Sequence, residues 1–302
     1  MHIGFKPSRA ASRIFGFLLA AAIVAPLGGA QAASGRLRFE SGGQPRSAFV
    51  IEHERLKRGP RPTLIILPAV GAPLRTRRNL AVESAIRSQG VAVAYLDAVD
   101  NRWDLTGPRD VQALRDLVRK LVDQRIADRR RIYVLGESSG GMLALRSACD
   151  YADGLAGVAS AIAAMPEAAA ASCKPSRPVP VMLLAGTADP LVPFNGGRAN
   201  LRDFKDAVAS ADATLVPFKT AAGCGDLASQ TSFADRDPND NSRVVLDSFK
   251  GCKAPIELVR VEGGGHSIPG RGRGPERDPN GPHNNDVDGA RLIWDFFKRA
   301  GA

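Results

Sequence analysis

The pentapeptide Gly136-Glu137-Ser138-Ser139-Gly140 is a G-x-S-x-G pattern, preceded by the strand-like run Arg131–Leu135 and followed from Met142 by a helical run. In that context the pattern makes a sharp strand-to-helix elbow that presents the serine hydroxyl at the edge of a sheet. Glycine is tolerated two residues before and after the serine, where a Cβ would meet neighbouring backbone. The bland alternative is a tight glycine turn whose serine caps the helix. A serine hydroxyl attacks a carbonyl only with help from a histidine base that a carboxylate orients. The chain has four histidines. His2 lies in an N-terminal export segment, and His53 precedes the serine, against the order Ser…Asp/Glu…His that accompanies this kind of elbow. His266 follows the last strand-like run in Glu262-Gly263-Gly264-Gly265-His266-Ser267, where a glycine loop can carry the ring back over the serine. His283 sits in a polar loop and reads as solvated. The acid is expected after the preceding strand, in Gly186-Thr187-Ala188-Asp189-Pro190, which selects Asp189; its alternative is a turn aspartate before proline. The placements of Ser138, Asp189 and His266 after the fifth, seventh and eighth strand-like runs support one another.

An oxyanion forming on the attacked carbonyl needs two N–H donors. Ser139 supplies one from the elbow. The other is expected from the loop after the third strand, Leu67-Pro68-Ala69-Val70-Gly71-Ala72, where Pro68 has no N–H and Val70 is the best-placed donor. Trp103 and Asp104 follow the fourth strand at the same edge, and Trp103 reads equally as a cleft wall and as a packing residue.

The elements that position these residues are eight strand-like runs: Arg36–Glu40, Ala48–Glu52, Thr63–Leu67, Val91–Leu96, Arg131–Leu135, Gly157–Ile162, Val181–Ala185 and Ile256–Val261. Helical segments separate most of them from the third onward. The clearest is Asp110–Arg125, with apolar residues on one face; others are Asn79–Ser88, Met142–Cys149, Asn200–Ala209 and Val287–Arg299. Two strands followed by β-α alternation predict an α/β fold, an eight-stranded mostly parallel sheet with helices on both faces. Residues 33–302 are expected to form one domain, with a less regular insertion at about 220–255 and a Gly/Pro/Asp-rich loop at 269–286.

Composition narrows the class. The chain has 302 residues, 44% hydrophobic and 24% charged, and a formal charge of +10, which excludes a disordered or collagen-like protein. Its positive residues are scattered, without the aromatic-interleaved stripe of a nucleic-acid binder. Lys6, Arg9 and Arg13, then the apolar run Ile14–Leu27, then Ala30-Gln31-Ala32 read as a cleavable signal at 1–32. The apolar run is about 14 residues, short of the roughly 20 that span a bilayer, so a secreted or periplasmic chain with no stable membrane anchor is expected. Loss of those three cations lowers the charge from +10 to +7. Cys149, Cys173, Cys224 and Cys252 suggest disulfides in such a chain, with no zinc-like spacing. Of three connectivities, Cys149–Cys173 and Cys224–Cys252 are expected, each stapling a loop-rich insertion. No metal or cofactor is expected, and no oligomeric state is assigned.

From Pro62 to Lys298 the chain resembles the secreted polyhydroxybutyrate depolymerase and feruloyl esterase-like family of α/β-hydrolases. The likeness rests on Arg131–Met142, on Gly186-Thr187-Ala188-Asp189-Pro190 with Val192-Pro193, on Glu262-Gly263-Gly264-Gly265-His266, and on Ile293-Trp294-Asp295-Phe296-Phe297. It implies carboxylic-ester hydrolysis by Ser138, His266 and Asp189, acting on polyesters or on feruloyl and acetyl groups of plant polysaccharides. Two positions depart from the pattern: Pro68-Ala69 stands where the family usually has His-Gly, and Glu137 stands where an apolar residue is usual. A general carboxylesterase, a prolyl-oligopeptidase-type peptidase and a non-catalytic binding protein are the other readings. The peptidase would bring a propeller, for which no length remains.

Overall fold

Short apolar runs bounded by turns bury both their faces when they lie in the middle of a parallel sheet covered by helices. The computed structural model describes residues 1, 2, 4, 34–52, 59–70, 80–86, 89–270 and 278–302. All but three residues of the expected signal at 1–32, together with His53, lie outside the described residues. Contacts divide the chain into two units, Met1–Gln31 and Ala32–Ala302; the following concerns the second.

In chain order the elements are β1 (Gly35–Ser41), β2 (Gln44–Ile51), β3 (Arg61–Leu67), α1 (Leu80–Ile86), β4 (Ala92–Leu96), α2 (Arg109–Asp123), β5 (Ala127–Glu137), α3 (Ser139–Asp150), β6 (Gly157–Ala161), α4 (Glu167–Ser172), β7 (Val181–Gly186), β8 (Gly197–Arg198), β9 (Ala207–Val208), α5 (Ala211–Ala222), β10 (Leu227–Ser232), β11 (Arg243–Phe249), β12 (Ile256–Glu262) and α6 (Gly289–Arg299). One sheet runs β1-β2-β4-β3-β5-β6-β7-β12-β11-β10. It is parallel from β4 to β12 and antiparallel at both margins. Every residue of β3, β4, β6 and β7 is buried. One core joins the sheet to α2, α3 and α5, and a second, on the other face, joins it to α1 and α6.

The structure corrects two expectations. Among the described residues the sheet has ten strands, not eight. The additional pair, β10 and β11, lies inside the segment read as an irregular insertion. Leu227–Ser232 is largely polar and carries no apolar alternation, so it takes its strand form from the register of its neighbour rather than from its own pattern. Asn200–Ala209 is not a helix. Leu201, Phe204 and Val208 have helical spacing, but they are buried by a folded tip between β8 and β9, closed by Ala199 N–H to Asp206 carbonyl and Leu201 N–H to Phe204 carbonyl, both at 3.0 Å. The helix starts later, after Ser210, whose hydroxyl accepts the Ala213 N–H at 3.1 Å.

Two disulfides, Cys149–Cys173 and Cys224–Cys252, are present. The first ties the end of α3 to the residue after α4; the second ties the end of α5 to the turn between β11 and β12. Among the described residues no helix is long and apolar enough to cross a membrane.

The hairpin β1–β2 is fastened to the sheet's helices by one buried ion pair. Arg46 Nη1 lies 2.6 Å from Asp110 Oδ1, with side-chain exposures of 1% and 0%. Asp110 Oδ2 also accepts the Asp104 N–H at 2.6 Å. Removing one partner strands the other charge in the interior, which costs about 3–5 kcal/mol. Asp110→Ala is therefore expected to lower the unfolding free energy by about that amount in urea titration; a loss below about 1 kcal/mol would show that the pair is not anchoring the hairpin.

Candidate active site

Strand β5 leaves the sheet at Glu137, and the next residue must turn the chain at once into α3. Ser138 does this at φ 55° and ψ −126°, a region that residues with a Cβ rarely adopt. Its N–H donates to the Ala161 carbonyl at 2.9 Å, and its carbonyl accepts from Gly141 N–H at 2.8 Å and Met142 N–H at 3.1 Å. The glycines are sterically required. A Cβ on Gly136 would stand 2.1 Å from the Gly140 carbonyl oxygen, and one on Gly140 would stand 2.0 Å from that of Leu67.

The turn after β7 and the loop after β12 are stitched together because these strands are neighbours. Gly263 N–H donates to Thr187 Oγ1 at 2.9 Å, and Ala188 N–H to the Gly264 carbonyl at 2.9 Å. A Cβ on Gly186 would lie 2.3 Å from that same Gly264 carbonyl oxygen. This seam brings His266 and Asp189 to the elbow. His266 Nδ1 lies 2.7 Å from Asp189 Oδ2, and His266 Nε2 lies 2.9 Å from Ser138 Oγ. Asp189 Oδ1 accepts the N–H groups of Leu191 at 2.8 Å and Val192 at 2.9 Å. A carboxylate only accepts, so these partners assign the ring proton to Nδ1 and leave the Nε2 lone pair facing the serine hydroxyl. All three residues are buried. Such a line can take the hydroxyl proton as the oxygen attacks a carbonyl.

Ser139 is buried at the start of α3, where its N–H belongs to the unpaired, partly positive end of the helix. The third-strand loop approaches the elbow through the Leu67 and Pro68 carbonyls, which a Cβ on Gly140 would meet. Val70 is half-buried at the end of its described part, and Gly71 and Ala72 lie outside the described residues. Of the two roles open to Trp103, packing describes its surroundings: it is 6% exposed and its indole N–H donates to the Pro68 carbonyl at 3.0 Å. Asp104 turns to its own loop, accepting the N–H groups of Gly107 at 2.7 Å and Arg109 at 3.0 Å. His283 stands apart from the serine, with Nε2 2.7 Å from Asp278 Oδ2.

Asp203 was missed by sequence reasoning because it lies in the segment that mimics a helix. It turns inward from the β8–β9 tip toward Ser139, while Arg202, Lys205 and Asp206 beside it are exposed. Burial pushes its carboxyl above the ordinary range, against hydrogen bonds from the Ser139 side chain and its own backbone N–H and against the nearby Arg102 cation.

Sheet order and the strand–elbow–helix turn are those of the α/β-hydrolase fold. The sequence profile of the family described as Phospholipase/Carboxylesterase matches residues 104–223. The NocK protein of Nocardia uniformis subsp. tsuyamanensis, whose name assigns it to the esterases, is 30% identical over 233 residues, 70% of this chain and 66% of the relative. Feruloyl esterase B of Piromyces equi is 26% identical over 245 residues, 77% of this chain and 40% of the relative. The solved structure of acetyl xylan esterase from Aspergillus awamori shares the fold, with a TM-score of 0.56 at 12% identity over 78% of this chain and 94% of that one. The chain has the α/β-hydrolase fold, and it spans less than two thirds of the length of the NocK and feruloyl esterase B relatives, which are named as esterases.

The close approach at the elbow is open to direct test. Gly140→Ala is expected to cost at least about 1–3 kcal/mol through overpacking against the third-strand loop, read from chemical denaturation; an unchanged midpoint would contradict the contact.

Proposed function

We propose that this chain hydrolyses carboxylic esters, with Ser138 as nucleophile. His266 takes the hydroxyl proton through Nε2 as Ser138 Oγ attacks the ester carbonyl, and returns it to the departing alcohol. Asp189 keeps the imidazole in its Nδ1–H tautomer and stabilises the imidazolium. The N–H groups of Ser139 and Val70 stabilise the oxyanion. Water, deprotonated by the same imidazole, then releases the acyl group from Ser138. The observation that carries this reading is the unbroken line from Ser138 Oγ to His266 at 2.9 Å and from His266 to Asp189 at 2.7 Å. No metal or organic cofactor enters the scheme.

The names of the relatives favour feruloyl or acetyl esters borne on plant polysaccharide as substrates. The polyester reading rests on the sequence resemblance alone. An exported, extracellular site of action is supported by the signal-like segment at 1–32 and by the two disulfides.

Ser138→Ala is expected to lower kcat on p-nitrophenyl butyrate by about 10^6-fold, and Asp189→Asn by about 10^4-fold, as loss of groups in these roles does in other serine hydrolases. A fluorophosphonate probe should label the wild-type chain at Ser138. Hydrolysis surviving in Ser138→Ala would sink the assignment, and a wild-type chain that neither labels nor hydrolyses would favour a non-catalytic binder. A panel of methyl ferulate, acetylated xylan and poly(3-hydroxybutyrate) film then separates the substrate classes.

A further inference from the structure

His283 is a histidine that the serine and its acid do not use. Its ring closes a turn. Nε2 lies 2.7 Å from Asp278 Oδ2, with side-chain exposures of 19% and 10%. Asp278 Oδ1 accepts the Asn280 N–H at 2.8 Å, and its carbonyl accepts the Gly281 N–H at 2.9 Å. The Asn280 N–H and the His283 ring hold the Asp278 carboxyl below its usual range.

One side of this turn meets the loop that carries the base. The His266 N–H donates to the Asn280 carbonyl at 2.6 Å, and the Gly265 N–H to the Pro282 carbonyl at 2.7 Å. A Cβ on Gly265 would stand 2.3 Å from the Asn280 oxygen, which leaves no slack between the two strands of chain. The other side meets the loop that carries the acid. Gly281 sits at φ +81°, and a Cβ there would stand 3.2 Å from Pro190 Cδ and 3.4 Å from the Ala188 carbonyl oxygen. Beyond His283 the chain is held at a second point, where Asn284 Nδ2 donates to Ser242 Oγ at 2.7 Å and Asn285 N–H donates to Asp240 Oδ2 at 3.0 Å. The carbonyls that locate His266 therefore belong to a short span, fixed at one end by that anchor and at the other by Asp278 with His283.

We propose that Asp278 and His283 are positioning residues for His266, a second aspartate–histidine couple that touches no substrate and holds base and acid in register with Ser138. This rests on the ester-hydrolase reading. Errors of about 1 Å in such a register cost up to about 100-fold in rate, and a loss of register alone falls on kcat rather than on KM.

The test compares Asp278→Ala, Asp278→Asn, His283→Ala and the double variant Asp278→Ala/His283→Ala in the full chain. It reads kcat and KM on p-nitrophenyl butyrate, the second-order rate of fluorophosphonate labelling at Ser138, and near-UV circular dichroism. Asp278→Ala and His283→Ala should each lower kcat and labelling rate about tenfold with KM within about twofold. The double variant should be no worse than either single one, as two members of one contact behave. Asp278→Asn, which keeps an acceptor for the Asn280 N–H, should recover part of the loss. Should Asp278→Ala fail to fold, His283→Ala and Asp278→Asn carry the same comparison. Unchanged kcat and labelling, a raised KM at unchanged kcat, additive losses in the double variant, or losses that only track the folded fraction each overturn the proposal while the hydrolase reading stands. A wild-type chain that neither labels nor hydrolyses overturns both.

Discussion

Ser138 is held at φ 55°, a conformation that costs a residue with a Cβ on the order of 1–3 kcal/mol and persists only where its surroundings fix it. Three things fix it here. The Ser138 N–H reaches sideways to the Ala161 carbonyl of β6. The first turn of α3 takes up the Ser138 carbonyl. Glycines on either side let the chain close on itself and on the end of β3 at separations no Cβ would permit. The elbow thus depends on three adjacent strands, β3, β5 and β6, ending level with one another. That level ending follows from their parallel register.

The same edge supplies the partners. Because β7 pairs with β12, the turn carrying Asp189 and the loop carrying His266 emerge side by side and bond to one another before either reaches the serine. The extension that contains β10 and β11 contributes from outside. Its connecting segment anchors the span after Asp278, and the disulfide Cys224–Cys252 closes its base. A part of the chain remote from the chemistry in sequence is in this way a buttress of the base.

Much of this was legible beforehand, for reasons that can be named. The central strands are apolar on both faces, so β3 to β7 and β12 stand out against their turns. Ser138, Asp189 and His266 each follow such a run beside glycines, so residue type, strand and order mark each of them. What was hidden lacked one of these signatures. Leu201, Phe204 and Val208 imitate a helix because a buried hairpin tip can space its apolar residues as a helix does. The span at 278–283 works through the carbonyls of Asn280 and Pro282, and a backbone carbonyl leaves no trace in residue type. Trp103 was undecidable because an indole packs and lines clefts with equal ease. Helix α5 was not among the expected helices, and it carries Pro217 in its interior, a residue type that disfavours a helix.

The polarity that concealed β10 has a use at the margin of an open sheet. Among the described residues the ten-stranded sheet does not close, and an open sheet leaves two rows of edge backbone groups, each a template for another molecule's strand. At one margin β1 alternates the half-buried Leu37 and Phe39 with the exposed Arg36, Arg38 and Glu40. At the other, β10 presents exposed Ser229, Gln230, Thr231 and Ser232, and its register with β11 shifts between Leu227 and Ser229. Charge at one border and an irregular polar strand at the other deny a second copy a flat, greasy edge to extend. Resistance to edge-to-edge aggregation is thereby written into the two strands that border the sheet.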